Sequence, residues 1–170
     1  MRILVLGAGG TGGYFGGRLA QAGVDVTFLV RPARAAQLRA SGLQVSSTHG
    51  DTTIVPQLVT REELAASGQR YDVIVLSCKA YDLASAIDDV APVVGEGSLI
   101  LPLLNGVRHI DTLVARFGAE RVLGGVAFIS VALDASGAIR HLNTLHRLVA
   151  GALTHTATPT TRPSCLAKIA

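Results

Sequence analysis

The first residues with recognisable chemistry form a glycine-rich turn near the start of the chain. Residues 3–6 predict a strand buried on both faces, and the turn that follows consists of Gly7, Ala8, Gly9, Gly10, Thr11 and Gly12. In this G-x-G-x-x-G pattern the first glycine allows a sharp turn, the second lets the backbone approach a pyrophosphate, and the third lets the next helix pack on the strand. Free N–H groups at that helix start would hold the pyrophosphate. The pattern predicts a dinucleotide-binding turn.

The residues after the turn supply the structural context that the pattern needs. Phe15, Leu19 and Ala22 fall on one face of a helix, Gly23 stands where a helix-ending glycine belongs, and residues 24–30 predict a second strand. Strand, turn, helix and strand thus fit in about thirty residues, the length of one βαβ unit. The alternative is a glycine turn that binds nothing.

Arg31 stands at the end of the second predicted strand, where a dinucleotide's ribose is read. Sites selective for NAD place an acid there to accept from the 2′-hydroxyl, whereas an arginine pairs with a 2′-phosphate. Asp25 is expected near the start of that strand, so Arg31 predicts a preference for NADPH. Arg34, one helical turn later, is a candidate second phosphate ligand. The alternative is that both arginines are ordinary solvated charges at the start of a helix.

Two further polar residues follow buried strands. Lys79 comes just after a strand at residues 72–77, and Asn105 follows another at residues 98–104. Because ligands bind at the carboxyl ends of parallel strands, we expect both side chains to face the same cleft as the glycine turn. A lysine there can hold a phosphate, a ribose hydroxyl or a carboxylate, and an asparagine can donate and accept. The alternatives are a solvated lysine and an asparagine that serves a turn.

The remaining pattern predicts an α/β fold with a doubly wound, mostly parallel Rossmann-type sheet. Helices are expected at residues 32–41, from the Thr60 and Glu63 capping box to about residue 68, along the stripe of Leu83, Ile87 and Val90, and from about residue 110 to 117. Residues 43–47 and 53–59 predict two strands of a hairpin at a sheet edge. Residues 126–133 and 139–149 predict antiparallel strands added near the C-terminus.

Composition narrows the function classes. The 170 residues are 49% hydrophobic, 4% aromatic and 16% charged, which favours an aliphatic α/β core and a surface that faces another domain or a second copy, as in a homodimer. The net charge of +3 is scattered, so nucleic-acid binding is not expected. No stretch suggests a signal peptide or membrane span, which favours a cytoplasmic location.

The cysteines and histidines predict neither a disulfide nor a metal site. Two cysteines make no disulfide framework, and Cys78 at a strand end is expected to be a small core residue. The five histidines lack metal-ligand spacing with one another or with cysteine. We interpret them as surface or hydrogen-bonded residues, with no bound metal.

The motifs together resemble a known family. Residues 7–12, 29–31, 77–81 and 104–107 resemble, in order and spacing, the amino-terminal domain of ketopantoate reductase (2-dehydropantoate 2-reductase). The glycines at residues 124–125 and the segment at 137–139 are also similar to that family. The resemblance covers residues 1–151, which are therefore expected to form the dinucleotide-binding domain.

The resemblance implies NADPH-dependent reduction of 2-dehydropantoate to pantoate in pantothenate biosynthesis. It implies that residues 7–12 bind the pyrophosphate, that Arg31 binds the 2′-phosphate and that Lys79 contacts the cofactor near its reactive end. It also implies that Asn105 binds the nicotinamide side and the substrate, so Lys79 and Asn105 are the candidate catalytic residues. The alternatives are a non-catalytic NADP(H)-binding module and an oxidoreductase acting on another 2-oxo acid.

The family's helical substrate domain, which carries the lysine regarded as its general acid, is not expected in this chain. Residues 152–170 predict an irregular, Thr/Pro-rich tail. Lys168 lies in a superficially similar setting, but it follows Gly151 too closely and lacks the burying pocket that tunes a catalytic lysine. We therefore expect the chain to supply only the cofactor-binding half.

Overall fold

The amino-terminal segment forms the predicted strand–helix–strand unit in the computed structural model, which describes residues 1–153. β1 (Arg2–Leu6) leads through the glycine turn into α1 (Gly10–Gln21), and β2 (Asp25–Leu29) pairs with β1 in parallel. Gly7 has φ of +96°, a conformation that side-chain-bearing residues rarely adopt, and its N–H donates to the carbonyl oxygen of Leu29 at 2.9 Å. The glycine therefore fixes the chain's exit from β1.

Five parallel strands form the central sheet, in the order β5-β2-β1-β6-β7. Besides β1 and β2, this sheet contains β5 (Gln57–Val59), β6 (Val73–Leu76) and β7 (Leu99–Pro102). All residues of β6 and β7 are buried, as their uninterrupted apolar sequences predict. The predicted doubly wound α/β class is confirmed.

The remaining helices cover both faces of this sheet. They are α2 (Pro32–Ser41), α3 (Arg61–Ala66), α4 (Leu83–Val90) and α5 (Arg108–Phe117). Alternate residues of β1 serve the two faces: Ile3 and Val5 pack with Tyr14 of α1, while Leu4 packs with residues of α3, α4 and α5. None of the helices in residues 1–153 has the length and apolar character needed to cross a bilayer.

The antiparallel strands predicted near the C-terminus belong to a second sheet. β3 (Leu43–Ser46), β4 (Thr52–Ile54), β8 (Leu123–Leu133) and β9 (Ile139–Ala152) are arranged in the order β4-β3-β9-β8. β8 and β9 are antiparallel to each other, β3 and β4 form the predicted hairpin at the edge, and β3 joins β9 in parallel. The predicted tail at residues 152–170 lies outside the described residues, apart from its first two positions.

One strand prediction was wrong. Residues 53–59 do not form a single strand, because the chain leaves β4 at Ile54 and enters β5 at Gln57, which lies in the other sheet. Between them Val55 is 96% exposed and is followed by Pro56. Proline lacks the N–H that a strand needs, so the segment breaks there and connects the two sheets.

Helix α1 packs between the two sheets through pairs of glycines. A β-carbon on Gly16 would lie 2.7 Å from the Phe28 ring of the central sheet. A β-carbon on Gly17 would lie 3.1 Å from Leu43 of the second sheet. Adjacent glycines on two faces of one helix thus allow both sheets to approach the middle of α1 closely.

Candidate functional site

A cleft of about 510 Å³ opens at the carboxyl ends of the central strands. Its walls include the turn at Gly7, Ala8 and Gly9 and the side chains of Arg31 and Lys79. Arg31, which follows the second predicted strand, and Lys79, which follows a later one, therefore both lie beside the glycine turn, as predicted. This is the position at which open α/β sheets bind their ligands.

The glycine turn presents an open surface to this cleft. A β-carbon built on Gly9 would have no other atom within 4 Å. Gly9 is also the N-cap of α1, and no side chain of the described residues caps that helix start. Its first-turn N–H groups and positive dipole end are thus suited to an anion such as a pyrophosphate. Gly10, Thr11 and Gly12 are the first residues of α1 and are not among the described residues that line the cleft.

Ser77, which the sequence analysis did not single out, holds the turn in place. Its hydroxyl donates to the carbonyl oxygens of Leu6 at 2.8 Å and Gly7 at 3.3 Å. The side chain lies at the end of β6, so one hydroxyl ties that strand end to the exit of β1. A serine directly before Cys78 and Lys79 gave no local signal, because its partners are about seventy residues away.

Arg34, the candidate second phosphate ligand, is hydrogen-bonded within the protein. Its guanidinium donates to the carbonyl oxygens of Ala8 at 3.0 Å and Gly137 at 3.0 Å, and to Gln37 Oε1 at 2.6 Å. The partial burial of Arg34 lowers the pKa of its guanidinium. The side chain thus ties the glycine turn to the β8–β9 connection, and its donors are used within the protein rather than offered freely to a phosphate.

Arg31 lies at the predicted end of β2 and forms an ion pair across the mouth of the cleft. Its Nη2 lies 3.2 Å from Oδ1 of Asp82, which follows β6. The Arg31 side chain is 84% exposed and the Asp82 side chain 35% exposed. Because β2 and β6 flank β1 on either side, their following loops meet over the glycine turn. Asp82 stands three residues after Lys79, but its ion pair with Arg31, 51 residues away, leaves no signal in the sequence.

Lys79 lines the cleft as predicted, and its neighbour behaves as a packing residue. Lys79 precedes a short 3₁₀ turn at Ala80–Asp82 and is exposed. Cys78 is half-buried, and that burial raises the pKa of its thiol. A raised pKa disfavours the nucleophilic thiolate. Cys78 packs against the core as expected, but only in part, since it also lines the cleft.

Asn105 follows β7 at the same edge of the sheet, but it is not among the described residues that line the cleft. Its side chain is exposed, and the adjacent Gly106 has φ of +81°. The structure therefore brings together the glycine turn, Arg31 and Lys79, and leaves Asn105 beside this group. The glycine turn, Lys79 and Asn105 were expected to line one cleft. The first two do so, whereas Asn105 does not within the described residues.

The cleft wall carries charges of both signs. Four cations contribute to the wall, namely Arg31, Arg34, Arg61 and Lys79. Three carboxylates oppose them, namely Glu62, Asp82 and Asp89. Arg61 pairs with Asp89 at 2.9 Å, and burial raises the pKa of that carboxyl. The wall carries one more cation than anion.

Three of the five histidines form a cluster away from the cleft. His49 and His146 stack with ring centroids 3.7 Å apart, and His141 lies 5.7 Å from His49. The Tyr14 hydroxyl is 3.2 Å from Nδ1 of His146. The prediction of hydrogen-bonded histidines is confirmed for these three, although spacing did not reveal their clustering. Within residues 1–153 no group of His, Cys, Asp or Glu is arranged to hold a metal.

Most of the chain matches the model of a known protein family. The family model described as Ketopantoate reductase PanE/ApbA matches residues 3–155 of the chain. The chain is 48% identical over 151 residues to the uncharacterized oxidoreductase YkpB of Bacillus subtilis (strain 168), a match that spans 89% of this chain and 48% of that protein.

Two solved structures share the fold. The crystal structure of 2-dehydropantoate 2-reductase from Geobacter metallireducens GS-15 aligns with a TM-score of 0.79 and 34% identity, over 89% of this chain and 49% of that one. The ternary structure of D-mandelate dehydrogenase with NADH and anilino(oxo)acetate aligns with a TM-score of 0.76 and 26% identity, over 84% and 46%. The chain spans about half the length of each protein that it matches.

Proposed function

The chain belongs to the ketopantoate reductase family, and we propose that it supplies the NADPH-binding half of a 2-dehydropantoate 2-reductase. The family likeness supports an NAD(P)-binding domain of Rossmann type. Beyond that, we propose a preference for NADPH and the reduction of 2-dehydropantoate to pantoate.

The observation that carries this proposal is the meeting of the glycine turn and Arg31 in one cleft. The open face of Gly9 and the uncapped start of α1 fit a pyrophosphate, because backbone N–H groups can reach it without obstruction. Arg31 at the end of β2 fits a 2′-phosphate, since a guanidinium offers paired donors to phosphate oxygens. The turn and the arginine together fit NADPH along its whole adenosine side.

Lys79 and Asn105 are proposed to act on the other side of the cofactor. Lys79 lies in the cleft wall beside the glycine turn and is placed to donate to a ribose hydroxyl or to the cofactor's reactive end. Asn105, one strand further along, is placed to contact the nicotinamide side and the substrate. The bound cofactor supplies the hydride, while these side chains orient it and the 2-oxo acid.

A second candidate is a reductase of another 2-oxo acid. It is favoured by the likeness to D-mandelate dehydrogenase with NADH, which shares the fold at a TM-score of 0.76. A non-catalytic NADP(H)-binding module is the remaining alternative. For either enzyme we propose a cytoplasmic location, a small-molecule 2-oxo acid as substrate, and a helical domain or a second copy as the partner that completes the cleft.

The proposal is tested by titrating the chain with NADPH and NADH in a calorimeter. The wild type is expected to bind NADPH more tightly, and Arg31→Ala to lose most of that difference, because a charge-assisted contact contributes about 1.5–3 kcal/mol. Arg116→Ala, which removes the same charge from the exposed end of α5, is the matched control. Equal affinity of the wild type for the two nucleotides would contradict the NADPH assignment. Reduction of 2-dehydropantoate is then compared with that of other 2-oxo acids.

A further inference from the structure

We propose that Asp82 reads the cofactor's adenosine ribose together with Arg31, so that the cleft accepts NADH as well as NADPH. This inference rests on the proposed function, that the cleft binds a nicotinamide dinucleotide. It assigns Asp82 as a specificity-determining residue, one that sets how strongly the site prefers the phosphorylated cofactor. The sequence alone does not reveal this role, because Asp82 follows β6 whereas Arg31 follows β2.

The geometry places the two opposite charges at one ribose-reading position. Arg31 Nη2 and Asp82 Oδ1 are 3.2 Å apart, and both side chains line the cleft that holds the glycine turn. In dinucleotide-binding folds the ribose of the adenosine half lies at the end of the second strand, and Arg31 follows the end of that strand here. A carboxylate in contact with Arg31 is therefore within reach of the same 2′-oxygen.

The two cofactors differ in what they bring to that position. NADH carries a 2′-hydroxyl, which donates a hydrogen bond and is suited to a carboxylate acceptor. NADPH carries a 2′-phosphate, whose negative charge attracts Arg31 and is repelled by Asp82. The pair thus offers a carboxylate to the 2′-hydroxyl of NADH and a guanidinium to the 2′-phosphate of NADPH. Asp82 reduces the preference for NADPH that Arg31 produces.

The ion pair can be rearranged by a ligand. Ion pairs with one highly exposed member contribute little to stability, and the Arg31 side chain is 84% exposed. A guanidinium also has five N–H donors, so Arg31 can turn toward a phosphate or remain on Asp82 while a hydroxyl binds. The cleft therefore need not unfold any element to accept either ribose.

The other cleft carboxylates are less suited to this role. Asp89 is paired with Arg61 at 2.9 Å, and its side chain is only 18% exposed. Glu62 lies on α3, which follows β5 rather than β6, and it makes no ion pair with Arg31 in the described part of the chain. Asp82 is the carboxylate that contacts the ribose-reading arginine.

The experiment is a calorimetric titration of wild type and Asp82→Asn with NADPH and with NADH. Asp82→Asn keeps the side-chain shape and removes the charge. We expect it to bind NADPH more tightly and NADH more weakly, each by about two- to fivefold, the range of a single exposed charge interaction. Asp82→Glu is expected to retain NADH binding, and its native fold is checked by circular dichroism.

Two controls separate this role from a general effect. Asp88→Asn removes the same charge from an exposed site on α4 outside the cleft and is expected to change neither affinity. Glu62→Gln removes a cleft carboxylate that does not contact Arg31. If Asp82→Asn weakens both nucleotides equally, or changes neither, or if Glu62→Gln produces the opposed shifts instead, the inference is overturned. Failure of the wild type to bind either nucleotide would overturn the proposed function itself, and this inference with it.

Discussion

Gly12 packs against Ser77 so closely that there is no space for a side chain between them. A β-carbon built on Gly12 would lie 2.9 Å from Cβ of Ser77 and 2.5 Å from the carbonyl oxygen of Gly7. The same Ser77 hydroxyl donates to Leu6 and Gly7. The third glycine of the motif is therefore required by packing between α1 and the sheet, independently of any cofactor.

Gly12→Ala is accordingly expected to destabilise the folded chain. The neighbours are the carbonyl oxygen of Gly7 and the side chain of Ser77, which is held by its own hydrogen bonds, and overpacking of this kind costs about 1–3 kcal/mol. The free energy of unfolding, measured in urea, is the readout. Gly97→Ala is the matched control, because a β-carbon there meets no atom within 4 Å. Equal stability of the two variants would contradict the packing role.

Gly9→Val, unlike Gly12→Ala, is expected to leave the fold intact and to abolish cofactor binding. A β-carbon at Gly9 meets nothing within 4 Å and the residue has φ of −84°, so a valine fits the protein itself. The new side chain would stand where the pyrophosphate approaches the backbone, and binding of NADPH should be lost. Calorimetry measures the affinity and circular dichroism the fold. A folded Gly9→Val chain with unchanged NADPH affinity would place the dinucleotide elsewhere.

The elements that the sequence predicted best are those with local signals. Helix α2 occupies residues 32–41 as predicted, because Pro32 suits its first turn and Gly42, with φ of +72°, ends it. The capping box of Thr60 and Glu63 is present with both hydrogen bonds. Such features depend on a few neighbouring residues, so a single sequence is enough to reveal them.

The features that were missed depend on which elements lie side by side. Asp82 joins Arg31 only because β2 and β6 flank β1, and the chain positions are 51 residues apart. His49 meets His141 and His146 only because β3 pairs with β9 in the second sheet. Neither relationship leaves a periodic or spacing signal. The glycine turn was predictable as a motif, whereas the charges around it required the sheet order.

Arg34→Ala tests whether this arginine positions the turn or binds phosphate. Because Arg34 donates to Ala8 and Gly137, its removal leaves partly buried carbonyl oxygens unpaired, at a cost of about 1–3 kcal/mol in unfolding free energy. We expect affinity for NADPH and NADH to fall together, since a displaced turn affects the pyrophosphate that both share. Parallel titrations with the two nucleotides provide the measurement. A loss confined to NADPH would instead show that Arg34 binds the 2′-phosphate.

Stability is expected to fall as the pH is lowered through the histidine range. Burial first, and then the nearby charges of His49, His141 and Arg18, lower the pKa of His146 below its ordinary 6.5. The unfolded chain thus binds this proton more readily, so stability is complete above pH 6.5 and declines as the pH drops from there toward the lowered value. His109, whose pKa is also lowered by burial, acts in the same direction.

Urea unfolding at a series of pH values measures this decline. His146→Asn removes the stacked imidazole and should show a weaker dependence on pH, with the His109 contribution remaining. The comparison is made between slopes, so a uniform loss of stability in the variant does not affect it. Identical slopes for wild type and variant would mean that His146 has the same pKa in the folded and the unfolded chain, which would contradict the prediction.

Lys79 and Asn105, the two candidate catalytic residues, differ in their position relative to the cleft. Lys79 lines the cleft beside the glycine turn, whereas Asn105 is not among the described residues that line it. Lys79→Met, which keeps most of the aliphatic side chain and removes its charge, should therefore weaken NADPH and NADH alike, by about 1–3 kcal/mol if the ammonium donates to the cofactor. Asn105→Ala should weaken both nucleotides less than Lys79→Met does, because Asn105 lies beside the cleft wall and is proposed to meet only the nicotinamide end of the cofactor. If Asn105→Ala weakens cofactor binding as much as Lys79→Met does, the cofactor extends further across the end of β7 than the cleft wall indicates.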